Sequence, residues 1–210
     1  TDPPPVAAAP PAEPEPEPAS AVAEPPAAPA VPPAPTFARQ WPRTGRIVYQ
    51  VTRGEEGFVV GQSEQSWTHD GETYELQAVT ETTGLAALFR PARVVQASRG
   101  IFDAAGLRPL EFATRRDDKP QGGVRFDVAQ GRIFFGNGQS AAFPAAAQDL
   151  LSLFYQLGAV AFDVPQFALT VATGRKVATF AVAIGPQLEI ETPLGPRPAR
   201  HLRITGSARE

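Results

Sequence analysis

Gln65-Ser66-Trp67-Thr68-His69-Asp70-Gly71-Glu72-Thr73-Tyr74-Glu75-Leu76-Gln77-Ala78 reads as two strands joined by a tight turn. Tyr74, Leu76 and Ala78 recur at every second position, the period that sends alternate side chains to one face of a sheet. Asp70-Gly71 suits a type I′ turn, whose central residues need positive φ, so a hairpin is expected here. Upstream, Ile47, Tyr49 and Val51 keep the same period, and Gly54-Glu55-Glu56-Gly57 turns the chain into Phe58 to Thr68. A three-stranded meander follows. Further alternating runs are Arg93 to Ser98, Leu107 to Arg115, Gly123 to Val128 and Arg132 to Phe135, with turns expected at Asp117 to Gln121 and Ala129 to Gly131.

One segment has the helical period. Leu150, Leu151, Leu153, Phe154 and Leu157 line one stripe, with Asp149 placed to cap the start and Gly158 to cap the end. A weaker helical turn covers Leu85 to Phe89. Strands resume at Gln166 to Ala172, Lys176 to Ile184, Gln187 to Glu191 and Arg200 to Thr205, separated by Thr173-Gly174, Gly185-Pro186 and Gly195-Pro196. About ten short strands and one amphipathic helix predict a mainly β (α+β) fold. Its expected form is an antiparallel, strongly curved sheet or open β-barrel wrapped around the helix. Phe126, Phe134, Phe135, Phe154, Tyr155, Phe162, Phe167 and Phe180 sit at core spacing, with a filled core as the default and a cavity for a lipophile as the alternative.

Composition divides the chain. Residues 1–40 hold 14 of the 24 prolines, including Ala12-Glu13-Pro14-Glu15-Pro16-Glu17-Pro18, and are expected to form a disordered, extended stalk. At about 3.1 Å per residue such a segment reaches on the order of 100 Å. The stalk carries five acidic residues against Arg39, leaving 18 basic and 17 acidic groups in residues 41–210, which are expected to form a single domain. That balance, with its scattered arginines, argues against nucleic-acid binding. The absence of cysteine excludes disulfides, thiolate nucleophiles and iron–sulfur clusters. No apolar run is long enough to span a bilayer, so any membrane anchor is expected upstream of Thr1. Arg200 to Thr205 reads as a strand whose partner should follow Gly206, so the natural chain is expected to continue past Glu210.

No catalytic constellation stands out, and neither an enzyme nor a cofactor is expected. His69, with Asp70 and Glu72, lies at a hairpin tip, where such residues serve turns. His201 sits in a strand among arginines, and nothing in the spacing joins the two histidines into a zinc site. Asp117-Asp118 belongs to a polar turn, while Glu189 and Glu191 alternate with Leu188 and Ile190 onto one outward face. Gly61-Gln62-Ser63-Glu64-Gln65 lacks the second glycine of a nucleophile elbow, and Gly136-Asn137-Gly138 lacks the lysine of a phosphate loop. Catalytic, metal and cofactor residues are therefore none, and ligand contacts stay open.

Six phrases stand out: Trp41-Pro42-Arg43-Thr44-Gly45-Arg46-Ile47-Val48-Tyr49, Val60-Gly61-Gln62-Ser63 with Trp67, Glu81-Thr82-Thr83-Gly84-Leu85, Ser98-Arg99-Gly100, Gly106-Leu107-Arg108-Pro109 with Phe112, and Ala147-Gln148-Asp149-Leu150-Leu151-Ser152-Leu153-Phe154-Tyr155-Gln156-Leu157, the most specific. Together they resemble a proteobacterial cell-envelope family of unknown function, DUF3108. The resemblance implies a periplasmic protein tethered to the inner membrane, with a half-barrel similar to that of lipoprotein carriers and no residue roles to transfer. The Pro-Glu run is similar to the spacer of TonB-type proteins. The expected function is a periplasmic binding module for a lipophilic ligand or lipoprotein. The alternatives are a protein-interaction scaffold or TonB-like envelope-spanning partner, and thirdly a hydrolase using His69 or His201.

Overall fold

A computed structural model describes residues 41–54, 57–103, 106–144, 146–159 and 164–206; the Pro-rich segment of residues 1–40, and with it the expected stalk, lies outside the described residues. The expected meander forms and extends much further than three strands. Strands β1 (Thr44–Arg53), β2 (Phe58–His69), β3 (Thr73–Thr82), β4 (Arg93–Asp103), β5 (Gly106–Arg116), β6 (Lys119–Asp127), β7 (Arg132–Phe135) and β8 (Ser140–Ala142) pair in chain order, each antiparallel to the next. Helix α1 (Gly84–Phe89) interrupts the run between β3 and β4. This strongly curved antiparallel sheet is the mainly β fold read from the sequence.

The remainder is a second sheet rather than more of the first. Strands β9 (Gln148–Asp149), β10 (Gln166–Ala172), β11 (Val177–Ile190) and β12 (Arg197–Gly206) lie in the order β12-β11-β10-β9. Strand β9 runs parallel to β10, because helix α2 (Ser152–Ala159) intervenes and a crossover returns the chain in the same direction. Helix α2 packs between the sheets. Leu151 belongs to the core of the large sheet, with Tyr155 packed against it, whereas Leu153 and Leu157 join Phe167, Leu169, Val171 and Val182 of the small one.

Register explains the core. Gly45, Trp67, Leu76, Ser98, Phe112, Val124 and Phe135 are successive cross-strand partners and form one row from β1 to β7. From Leu76 to Phe135 every member of that row is buried. A one-residue slip would turn all of them outward, so burial fixes the pairing. The opposite face shows Glu75, Arg99, Glu111 and Arg125 in register, an alternating charge ladder with Arg125 stacked 4.4 Å over Phe134. Being exposed, these pairs contribute little stability each and chiefly keep the face wet. Phe134 therefore lies outside the core that the sequence suggested for it, and Phe154 is 61% exposed; Phe162 falls outside the described residues.

Several boundaries differ from the sequence reading. The type I′ geometry expected at Asp70-Gly71 occurs instead at Asp117-Asp118, where both residues have positive φ (47° and 64°) between the paired Arg116 and Lys119. The turn is thus two residues long, and Pro120 and Gln121 belong to β6, the proline tolerated beside a register shift. At the β2–β3 hairpin Asp70 works through its carboxylate, accepting the N–H of Glu72 (2.8 Å) and Thr73 (2.7 Å) and the Thr73 hydroxyl. The bonds from Thr73 and Glu72 hold its pKa down at about 2. The two strands expected at Lys176 to Ile184 and Gln187 to Glu191 are one, β11 (Val177–Ile190), since Gly185-Pro186 makes a bulge and not a turn. Helix α2 starts at Ser152 after a turn and includes Gly158, so that glycine does not cap it.

Gly100 tests how closely the strands must approach. A Cβ there would overlap the Arg108 carbonyl and come within 2.8 Å of Pro109 Cα and the Tyr74 ring. Gly100→Val is expected to destabilise the domain by about 2 to 4 kcal/mol, seen as a lower midpoint in urea unfolding with an unchanged slope.

Candidate functional site

The most specific sequence block folds into a polar knot beneath the sheet. Asp149 and Ser152 are fully buried, and Ser98 and Gln148 are nearly so. Asp149 Oδ1 accepts the N–H of Leu151 (2.7 Å) and Ser152 (2.8 Å), and Ser152 Oγ accepts the N–H of Asp149 (3.0 Å). This reciprocal pair is a capping box, so Asp149 caps the helical turn as its position suggested. Its second oxygen, Oδ2, accepts the Ser98 hydroxyl at 2.6 Å, and Tyr74 Oη lies 3.4 Å from Ser98 Oγ.

Two glutamines close the knot against β5. Gln148 Nε2 donates to the Leu107 carbonyl and Leu107 N–H donates to Gln156 Oε1, both at 2.8 Å. Both main-chain groups of one strand residue are thereby held by the helix block. Tyr155 extends the contact into an aromatic cluster, with ring centroids 5.3 Å from Trp41 and 6.0 Å from Trp67, while Phe102 bridges Trp41, His69 and Tyr74. Burial pushes the Tyr155 phenol up to about 12, with neighbouring Tyr49 adding to the shift.

Burying a carboxylate costs several kcal/mol, and a hydrogen bond to a charged group contributes about 1.5 to 3 kcal/mol. The three bonds from Ser98, Leu151 and Ser152 offset that cost only in part, because burial still raises the Asp149 pKa above its ordinary value. Burial, followed by the Asp149 charge, likewise raises the Tyr74 phenol. The knot is sealed from solvent and latches the helix block to Ser98 of β4 and Leu107 of β5.

The structure does not join the residues considered for catalysis or metal binding. His69 is half-buried at the end of β2, with Nε2 3.3 Å from the Trp41 carbonyl, and His201 is exposed on β12 of the other sheet. Among the described residues no hydrogen bond joins either histidine to a carboxylate, and no group of three His, Asp or Glu side chains forms a metal cluster. Ser63 Oγ pairs with Thr80 Oγ1 at 2.8 Å within the sheet, and Gly136 to Gly138 form the β7–β8 turn. Glu189 and Glu191 are exposed, but so are Leu188 (49%) and Ile190 (47%). The expected inward and outward faces of that strand end are therefore both solvated. The sequence reading places Ser98 at a strand end and in the phrase Ser98-Arg99-Gly100 but does not foresee its bond to Asp149; the signal for it is a small polar residue in an apolar register.

Beyond the Trp67 to Phe135 row, the face that receives α2 is only partly covered. The next two rows are Ile47, Gln65, Ala78, Gln96, Thr114 and Tyr49, Ser63, Thr80, Val94, Arg116. Ala78 is buried, whereas Ile47 and Tyr49 remain 42% and 47% exposed. This surface mixes aliphatic, amide and hydroxyl groups, and is the candidate binding surface. A separate open cleft of about 950 Å³ lies between β8 and the start of β11 with the turn before it, walled by Phe135, Val177 and Phe180. It also borders Gly206, whose continuation lies outside the described residues.

A curved antiparallel β-sheet latched onto a short helix by a buried Gln-Asp-x-x-Ser block defines the class of domain. The chain belongs to the family described as protein of unknown function (DUF3108), whose model matches residues 48–209. No curated protein and no solved structure matches it.

The raised pKa of Asp149 has a signed consequence. The folded state binds the proton more tightly than the unfolded state, so this contribution is fully present below the unfolded pKa of about 3.8 and is lost as pH rises through the folded value. Asp149→Asn keeps the capping oxygen and removes the charge. Its stability relative to wild type is expected to improve as pH rises from about 4 and to level off once the folded-state carboxyl has ionised, in urea unfolding, and a constant difference at every pH would refute the assignment.

Proposed function

We propose that this domain is a binding module of the cell envelope that takes a lipophilic ligand, such as an acyl chain, along the half-covered part of its inner face. The observation that supports this reading is the coverage pattern. Helix α2 seals one end of the face, while Ile47 and Tyr49 stay about half exposed beside half-buried Gln65, Thr80 and Gln96. Aliphatic and aromatic groups would contact a chain, and the amides and hydroxyls would orient its polar end. The domain acts in the periplasm by this reading, held away from the inner membrane by the Pro-rich segment that precedes it. Binding, rather than catalysis, is its role.

A second reading, an interaction scaffold, draws on β1. Among the described residues this ten-residue strand ends the large sheet, so its outer backbone edge offers hydrogen bonds to an added strand from a protein partner.

Titration with cis-parinaric acid, a fluorescent fatty acid, separates the two. Saturable binding is expected for the wild-type chain, and Ile47→Arg should weaken it by about tenfold or more, equivalent to about 1.4 kcal/mol. Ile47 is 42% exposed, so the variant should fold. Absence of saturable binding, or an unchanged affinity in Ile47→Arg, would rule out the lipid reading and favour the strand-addition one, which crosslinking from β1 then tests.

A further inference from the structure

We propose that Trp41-Pro42 is a strap, hinged at Arg43, that closes the α2 end of the candidate binding surface and swings away to open it. The strap lies between the Pro-rich segment and the first strand, outside the sheet. Its hinge is fixed. His69 N–H donates to the Arg43 carbonyl (2.8 Å), and Arg43 Nη1 donates to the Asp70 carbonyl (3.0 Å). The strap itself is held by one indole N–H, since Trp67 Nε1 donates to the Pro42 carbonyl (3.0 Å), and by the longer contact of His69 Nε2 with the Trp41 carbonyl (3.3 Å). Trp67 lies across β1 to make that bond because residue 45 is glycine; a Cβ there would overlap its ring.

Opposing terms meet at Trp41. Its ring packs on Tyr155, Phe102 and Trp67 at centroid distances of 5.3, 6.2 and 6.3 Å, which favours the closed position. Against this, Tyr155 Oη and His69 Nδ1 are shut off from solvent with no hydrogen-bond partner among the described residues. A buried polar group left unpaired carries its full desolvation penalty, which hydration removes. Both groups flank Trp41, Tyr155 through its ring and His69 through its other ring nitrogen. Closure is thus favoured by aromatic contact and opposed by two orphaned polar atoms, which makes the segment a two-state element and not a locked joint.

The strap stands where it can act on the binding surface. Trp67 and its partner Gly45 form the row next to Ile47 and Gln65, and the Tyr155 phenol lies near enough to Tyr49 to feel its charge. Withdrawal of Trp41 bares the Tyr155 hydroxyl beside this surface. The hydroxyl then serves as a donor to an acceptor oxygen at the polar end of a ligand. Ligand and Trp41 compete for the same ring, so loading frees the segment that joins the domain to the Pro-rich stretch. What the strap admits rests on the lipophilic-ligand reading; its opening does not.

Hydrogen exchange of the full chain, followed by NMR, is the test. The chain has two tryptophans, so each indole N–H is read separately. Protection of Trp67 Nε1–H should be at least about a hundredfold below that of Leu76 N–H, which sits in central strand β3 and reports global unfolding. Tyr155→Phe keeps the ring and deletes the orphaned hydroxyl, so it should raise Trp67 protection relative to Leu76 by about fivefold. Trp41→Ala should abolish that protection while Leu76 stays protected, and should speed association of cis-parinaric acid by about fivefold or more. Trp67 protection equal to that of Leu76, or no gain in Tyr155→Phe, would overturn the strap, the second result marking a merely frayed end. An unchanged association rate in Trp41→Ala would overturn its gating role. Absence of parinaric acid binding beside the expected exchange pattern would overturn the ligand reading, and the gating with it, and leave the opening itself standing.

Discussion

The bond between Ser98 and Asp149 joins the two halves of this molecule. Ser98 is the one buried polar residue in an otherwise apolar row across the large sheet, and Asp149 caps the turn that starts α2. Without a hydroxyl at that point the carboxylate would keep only local partners, and its burial would be harder to offset. Gln148 and Gln156 extend the same logic by taking the carbonyl and the N–H of Leu107. A polar latch of this kind specifies position more strictly than apolar contact does, because hydrogen bonds fail with small displacements.

That position then determines what is open and what is closed. With α2 latched over the Trp67 to Phe135 row, its second face is left to meet Phe167, Leu169 and Val182, and the small sheet builds on that contact. One short helix thus serves two cores. The far end of the large sheet receives no such cover among the described residues, and Ile47 and Tyr49 stay half exposed there. The proposed ligand surface is thus a consequence of a helix too short to cover the whole sheet.

Much of the β architecture was legible from period alone. Tyr74, Leu76 and Ala78 announce their strand because alternation is local, and the Leu150 to Leu157 stripe announces a helix for the same reason. Turn chemistry was less readable. Asp-Gly at 70–71 carried the stronger statistical signal, yet the positive φ pair fell at Asp117-Asp118, where strand pairing leaves just two residues to close the loop. Gly185-Pro186 looked like a break and became a bulge, since β12 pairs with β11 on both sides of it. The block Gln148-Asp149-x-x-Ser152 stood out as a phrase, and capping explained half of its role in advance.

By itself the sequence determined the mainly β class, the strand periods, the capped helix and the absence of cysteine chemistry, all of which depend on neighbours within a few residues. Only the tertiary structure decided that there are two sheets, that β9 lies parallel to β10, that Ser98 meets Asp149 across 51 positions, and that the stripe of α1 faces water. Those outcomes depend on which surfaces meet. Leu85, Leu88 and Phe89 have the spacing of a buried stripe, and nothing in that spacing says whether a partner surface arrives to cover it.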